Sequence, residues 1–242
     1  MIEWTDLPLL GGAALLASLL GSVAGSGGTA VLLPVLVLYF GVRDAIPILT
    51  VANMVSNGSR AAFNRREIAL PVVGWFSLGA IPLALAGAAL FIISPPALLT
   101  RMLGAFLIAT VAWRRLRPRP PRIASAVWFA PLGAGFGLLG GLLEGVGPLM
   151  APFFLAHGLL RGAYIGTDAL ATLFMQTAKL AVFGGADILT ARLLASGLAL
   201  APFMVLGAWA GKLVVNRVPD RVFVVIIDAT LIVAGVGFLA RG

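Results

Sequence analysis

From Leu7 to Val42 the chain carries no charged side chain, and the same is true from Ile68 to Thr100, Ile123 to Leu143 and Leu193 to Gly211. A spanning helix needs about 20 predominantly apolar residues. Inside hydrocarbon every backbone N–H and C=O must find a partner within the protein, which leaves helices or closed barrels. Runs this long and this uniformly apolar lack the two-residue alternation of a barrel strand, so they are read as helices. The whole chain agrees: 242 residues, 60% hydrophobic, 11% charged, with a mean hydropathy of +1.06. An ordinary soluble domain is about 25% charged.

The fold class expected is therefore an all-α polytopic membrane protein. Its ten hydrophobic segments lie at roughly 7–24, 29–40, 45–63, 68–92, 96–113, 123–143, 148–157, 163–183, 189–212 and 221–240. The segments at 29–40 and 148–157 are too short to span. Each follows a glycine-rich break, "GSGG" or "EGVG", and each reads as a half-helix.

The formal charge of +8 does not argue for nucleic acid, because the basic residues lie between apolar spans, the positive-inside pattern. With no cysteine and one histidine, disulfides and Cys- or His-based metal sites are not expected, nor is any cofactor. The acidic start, Met1 to Asp6, lacks the basic region of a signal peptide, so no cleaved signal is expected. The connector "WRRLRPRPPR" at 113–122 carries five arginines, and its prolines block helix continuation. If each segment reverses direction, this linker shares its side with Arg65, Arg66, Arg161, Arg217 and Arg221, and the acidic N-terminus, Arg43, Asp187 and Arg192 take the other. That places the linker in the cytoplasm of an inner-membrane protein, with both termini outside.

The linker also divides an internal duplication. Residues 1–112 form a first five-segment repeat, 113–122 the linker and 123–242 a second repeat. Shifting by about 119 residues places Asn53 on Thr172, Asn57 on Gln176 and Arg60 on Lys179, as the duplicated pattern is read. Pro34 meets Pro152, and Arg43 meets Arg161, at a shift one residue smaller. Five segments per half is odd, so the halves must be inverted, the plan of many secondary transporters with a site at the repeat interface.

The stretches "GSVAGSGGTAVLLPVLVLYFGV" and "GGLLEGVGPLMAPFFLAHGL" resemble the sulfite exporter TauE/SafE family, and the resemblance covers nearly the whole chain. Thr29 stands where the family usually has a last glycine, Val146 interrupts the second cluster, and Pro148 follows it. The resemblance implies transport of small sulfur-containing anions such as sulfite, sulfonates or related acids across the cytoplasmic membrane.

Two sets of residues carry the chemistry. At the breaks, a half-helix start offers free N–H donors and about half a positive charge, which suits an oxyanion. Ser26, Gly27, Gly28 and Thr29 on one side, and Gly145 and Gly147 on the other, would bracket one anion. The competing reading is close helix packing through small residues, which is preferred for Gly133, Gly137 and Gly141. The motif "GFGLLG" at 135–140 lacks the strand that a dinucleotide site requires.

The second set is a polar stripe. Asn53, Asn57, Arg60 and Asn64 share one helical face, as do Asp168, Thr172, Gln176 and Lys179. Intramembrane polar groups usually face the bundle interior. Asn53, Asn57, Thr172 and Gln176 could donate to substrate oxygens, and Arg60 and Lys179 could neutralise its charge or instead snorkel to the membrane surfaces. Glu144 and Asp168 are candidates for proton coupling, with ion pairing or N-capping as the alternatives. Asp228 is assigned a structural pairing role.

The function expected is a secondary exporter and not an enzyme, with a small anion and membrane lipid as its partners and no nucleic acid. An anion channel or an importer stays open, as does a homodimer. Two further readings are an intramembrane serine protease using Ser26 and His157, whose sequence lacks the G-x-S-x-G setting, and an assembly subunit of a membrane complex.

Overall fold

The computed structural model describes residues 6–24, 29–116, 122–214 and 220–241. Among them every regular element is helical: α1 (Leu7–Ala24), α2 (Thr29–Phe63), α3 (Leu70–Ile93), α4 (Pro96–Leu116), α5 (Phe129–Leu142), α6 (Gly147–Ala156), α7 (Arg161–Gly185), α8 (Ala191–Ala199), α9 (Ala201–Val214) and α10 (Asp220–Arg241), with a 3-10 turn at Ala126–Trp128 before α5. Four stretches are long and apolar enough to cross a membrane: Val31–Phe63, Leu70–Ile93, Pro96–Trp113 and Ala191–Leu213. Large apolar side chains lie open on the outer faces, Ile93, Val233 and Leu78 among them. On a soluble monomer such a surface would be a liability; facing lipid it is the expected one.

The expected segments 29–40 and 45–63 run through one helix with a break inside it. Gly41 has φ 74° and ψ 165°, outside the helical region. That positive φ is open to glycine and strained for most other residues. Pro47 follows, and its ring removes the N–H that would bond Arg43's carbonyl. The expected segment 189–212 forms one membrane-length stretch, Ala191–Leu213, interrupted only by a turn at Leu200 between α8 and α9; Pro202 sits in the first turn of α9, where a missing N–H costs nothing.

Packing is set by small residues. α3 lies against α5, α1 against α9 and α4 against α10. A β-carbon added at Gly133, Gly137 or Gly141 would fall 2.1, 2.4 or 2.4 Å from the carbonyl oxygens of Phe76, Ala80 and Ala84. These glycines on α5 let its backbone touch that of α3, as the packing reading expects. Gly207 and Gly211 on α9 do the same against Leu15 and Leu19 of α1.

The two ends of the bundle differ in charge. At one end, Phe63, Glu67, Arg161 and Lys212 line a common cavity. Ile123, the first apolar residue after the basic linker, donates its N–H to Ala156 O at 3.1 Å, and its carbonyl meets His157 Nδ1 at 2.8 Å. The α2–α3 loop, the α6–α7 loop and the far side of the linker thus gather together. At the other end Tyr39 donates to Asp6 at 3.0 Å and Arg43 to Ser94 O at 2.6 Å. Near the linker's start, Arg115 pairs with the buried Asp228 at 2.9 Å, the structural role expected of that acid.

Gly137→Ala should lower the thermal unfolding midpoint in detergent, by the ~1–3 kcal/mol typical of overpacking. Gly135→Ala, where a β-carbon meets nothing within 4 Å, should leave it unchanged or raise it.

Candidate anion site

All eight residues of the polar stripe are buried: Asn53, Asn57, Arg60 and Asn64 on α2, and Asp168, Thr172, Gln176 and Lys179 on α7. The two helices pack together, so the polar faces meet inside the bundle, where unpaired groups would be most costly. Asn57 Nδ2 donates to Gln176 Oε1 at 2.9 Å, a bond between residues 119 positions apart. These two amides therefore use part of their capacity on each other.

Neither cation snorkels. Arg60 is 6% exposed and Lys179 1%. Arg60 Nη1 donates to Gly21 O and Lys179 Nζ to Gly140 O, each at 2.9 Å and each across 39 residues. The second bond repeats the first 119 residues further on. In both halves, then, a cation on the polar helix holds a carbonyl in the helix preceding the glycine break.

The surroundings of the two cations differ. Lys179 lies 3.1 Å from Glu144 Oε1, and Thr50 Oγ1 donates to the same oxygen at 2.9 Å. The Lys179 ammonium also lies over the Phe183 ring, 5.6 Å from its centroid. Glu144 reaches this position from a bent backbone: Glu144 has φ 86° and Gly145 φ 81°. Two successive left-handed residues end α5 and turn the chain into α6, whose start has no side-chain cap. Space at Gly145 is not the constraint, since its nearest neighbour would be Leu33 Cδ2 at 3.9 Å; its φ is. That contact brings the second break against the first limb of α2.

Arg60 has a different set of partners. Its Nη2 donates to Asn57 Oδ1, while its Nε has no hydrogen-bond partner among the described residues. Asp168 and Tyr164 of α7 act on it electrostatically. Next to it a cavity of about 10 Å³ is bounded by Ser18, Gly21, Thr29, Asn53, Ser56 and Arg60. That is roughly the room one water needs. Asn53 Nδ2 donates to Thr29 Oγ1 at 3.3 Å, tying the start of α2 to the stripe. Arg60 also lines the larger cavity at the basic end of the bundle, so its side chain borders both spaces.

Of the expected residues, Thr29, Asn53, Asn57 and Arg60 thus come together, and Gly145, Glu144, Gln176 and Lys179 gather beside them. Thr172 Oγ1 is buried without a hydrogen-bond partner among the described residues. Gly147 opens α6. Ser26, Gly27 and Gly28 lie outside the described residues. His157 caps the far end of α6 and bonds Ile123 O.

Thr50, Ser18 and Ser56 were not singled out from the sequence. Thr50 and Ser56 extend the α2 stripe at helical spacing and could have been read from it. Ser18 bonds Ser56 at 3.0 Å and Met204 O at 2.5 Å, long-range pairings with no local signal.

Removing one member of a buried ion pair strands the other charge, at a cost of about 3–5 kcal/mol. Lys179→Met and Glu144→Gln should each destabilise the protein by that order. The double variant should be destabilised by less than the sum, giving a coupling energy readable from thermal unfolding of the four proteins.

Among curated proteins and among solved structures, none matches the chain. The family described as sulfite exporter TauE/SafE matches residues 10–238, nearly the full length, and that range includes both glycine breaks, both polar helices and the linker between them. The chain belongs to the sulfite exporter TauE/SafE family of membrane transporters.

Proposed function

We propose that the protein is a secondary transporter that exports small sulfur-containing anions, sulfite, sulfonates or related organic acids, across the cytoplasmic membrane by alternating access. The observation that carries this reading is the unequal treatment of two equivalent cations. In the second half Lys179 meets a carboxylate of its own half, Glu144. The position 119 residues before Glu144 is Gly25, so the first half supplies no such acid. Arg60 lines a small cavity with hydroxyls and an amide, Ser18, Thr29, Asn53 and Ser56, and beyond the field of Asp168 its Nε has no hydrogen-bond partner among the described residues. A substrate oxyanion would take, at Arg60, the place that Glu144 takes at Lys179. An arginine fork suits such an anion, because it offers several N–H donors at once.

The paired bonds of Arg60 to Gly21 and Lys179 to Gly140, and the direct contact of Asn57 with Gln176, support two inverted repeats of five segments meeting at this site. The starts of the half-helices, Ser26 to Thr29 and Gly145 to Gly147, would add backbone donors as the site opens. Thr172 and Gln176 complete the polar wall. The gathering of the α2–α3 loop, the α6–α7 loop and the linker's far side at one basic end supports a cytoplasmic placement of that end, with the termini outside.

Coupling falls to Glu144 and Asp168. A proton on Glu144 would dissolve its ion pair with Lys179; a proton on Asp168 would strengthen the pull of Arg60 on a substrate anion.

Flux of labelled sulfite and a small sulfonate in proteoliposomes tests the reading. Arg60→Gln and Asn53→Ala should each lower flux more than about tenfold, the loss of one charge-assisted or well-placed hydrogen bond. Arg115→Gln, outside the site, should leave flux per folded protein within about twofold, its cost falling on stability because the buried Asp228 loses a partner. The Glu144→Gln/Lys179→Met protein should keep anion exchange but lose its response to an imposed pH gradient. Flux indifferent to Arg60, Asn53, Asn57 and Gln176 would remove the site assignment, and a flux that never saturates would turn the reading to a channel.

A further inference from the structure

The larger cavity, about 210 Å³, lies at the basic end of the bundle and is walled by Ser22, Arg60, Asn64, Glu67, Arg161 and Lys212 among others. Its volume is several times the ~30 Å³ share of a water molecule. Three cations face one carboxylate there, an excess of two positive charges. Two buried polar atoms on its wall, Ser22 Oγ and Arg60 Nε, have no hydrogen-bond partner among the described residues, although Ser22 is 2% exposed and Arg60 6%. Buried polar groups left this way mark a place that is completed by something else.

The position of Glu67 is informative. A β-carbon on Gly162 would lie 2.3 Å from Glu67 Oε1 and 2.6 Å from Oε2. The carboxylate therefore rests on the first turn of α7 (Arg161–Gly185), where N–H groups point outward and negative charge is favoured. Arg161 itself holds φ 48° at this turn. Lys212 lies across the opening and donates to the carbonyl of Phe63 at the end of α2, a common cation position. The place best suited to an incoming anion is thus held by the chain's own carboxylate.

We propose that this cavity is a recruitment site for a small doubly charged oxyanion, formed by Arg161, Lys212, Ser22 and the outer face of Arg60, and that Glu67 is the internal anion the ligand displaces. Binding here is independent of any transport step. Its placement on the path to the central cavity rests on the exporter reading, with Arg60 as the group passed between the two spaces. The phosphate of an anionic lipid headgroup shares this chemistry, and the cavity's position at the helix ends makes it the rival occupant.

Calorimetric titration of sulfate, a chemically stable dianion, into the purified full-length protein in neutral detergent tests the proposal. Arg161→Gln and Lys212→Gln, both exposed side chains, should each weaken sulfate binding about tenfold, with unfolding midpoints unchanged. Glu67→Gln should tighten binding severalfold, because the competing carboxylate is gone. Raising the salt concentration should weaken it in the parent protein. Absence of sulfate binding, or affinities unmoved by all three substitutions, would overturn the site. So would native mass spectra showing an anionic lipid that is retained by the parent, lost in Lys212→Gln, and not displaced by sulfate. Sulfate binding that follows these residues, in a protein that carries no oxyanion across vesicles, would keep the site and remove the exporter reading. Saturable oxyanion flux whose KM ignores Arg161→Gln and Lys212→Gln would do the reverse.

Discussion

A cation buried between membrane helices must be met by an anion or by enough oxygen dipoles, and this protein solves the problem twice with one device. Arg60 and Lys179 each reach a carbonyl in the helix before a glycine break, Gly21 or Gly140. A charge left unmet there would be far costlier than one at a surface. Much of the architecture follows from this requirement. The carbonyls are accessible because α1 and α5 end just beyond them. Those helices lie close to their neighbours because α9 and α5 carry glycine at the contacts. The polar helices α2 and α7 must pack together so that the remaining amides, Asn57 and Gln176, satisfy one another.

The departure from equivalence is where function enters. Glu144 completes the second half through two successive left-handed residues, one of them not glycine. Strain of this kind persists only where the surroundings over-determine it, and here the anchors are Lys179 and Thr50. The first half lacks a counterpart to this acid. Arg60 is faced instead by Asp168 of the other half, and its Nε has no hydrogen-bond partner among the described residues.

Much of this was legible in the sequence, because membrane helices are dictated by composition along the chain. The apolar runs, the basic linker and the polar faces on α2 and α7 are local patterns, and the shift of about 119 residues pairs Asn57 with Gln176 before any contact is known. The resemblance to the exporter family rested on the two glycine breaks and held across residues 10–238. What was not legible is what depends on partners distant in the chain. No local signal says that Lys179 reaches Glu144 rather than the membrane surface, or that Ser18 bonds Ser56. The turn at Leu200 inside the single apolar stretch 191–213 carries no signal beyond Pro202. The carboxylate of Glu67 on the first turn of α7 could not be read at all, since it joins a loop to a helix that begins almost a hundred residues later.

The geometry around Arg60 also limits how a cycle could run. The inner space, about 10 Å³, has no room for a sulfur oxyanion, while the outer one, about 210 Å³, does. Arg60 lines both spaces. In the proposed export cycle, an anion passing between them would require Arg60 to release Gly21 O or swing with its ligand, and either motion would loosen the end of α1. Lys179 and Glu144 would then have to hold the opposite half shut, which a desolvated ion pair does well, since breaking it leaves a bare charge in an apolar setting. In that cycle, opening the second half would require that the pair be neutralised or replaced. On the proposed exporter reading the two halves would answer to different ligands, an oxyanion at Arg60 and a proton at Glu144, and halves that answer to different ligands can have their movements coupled.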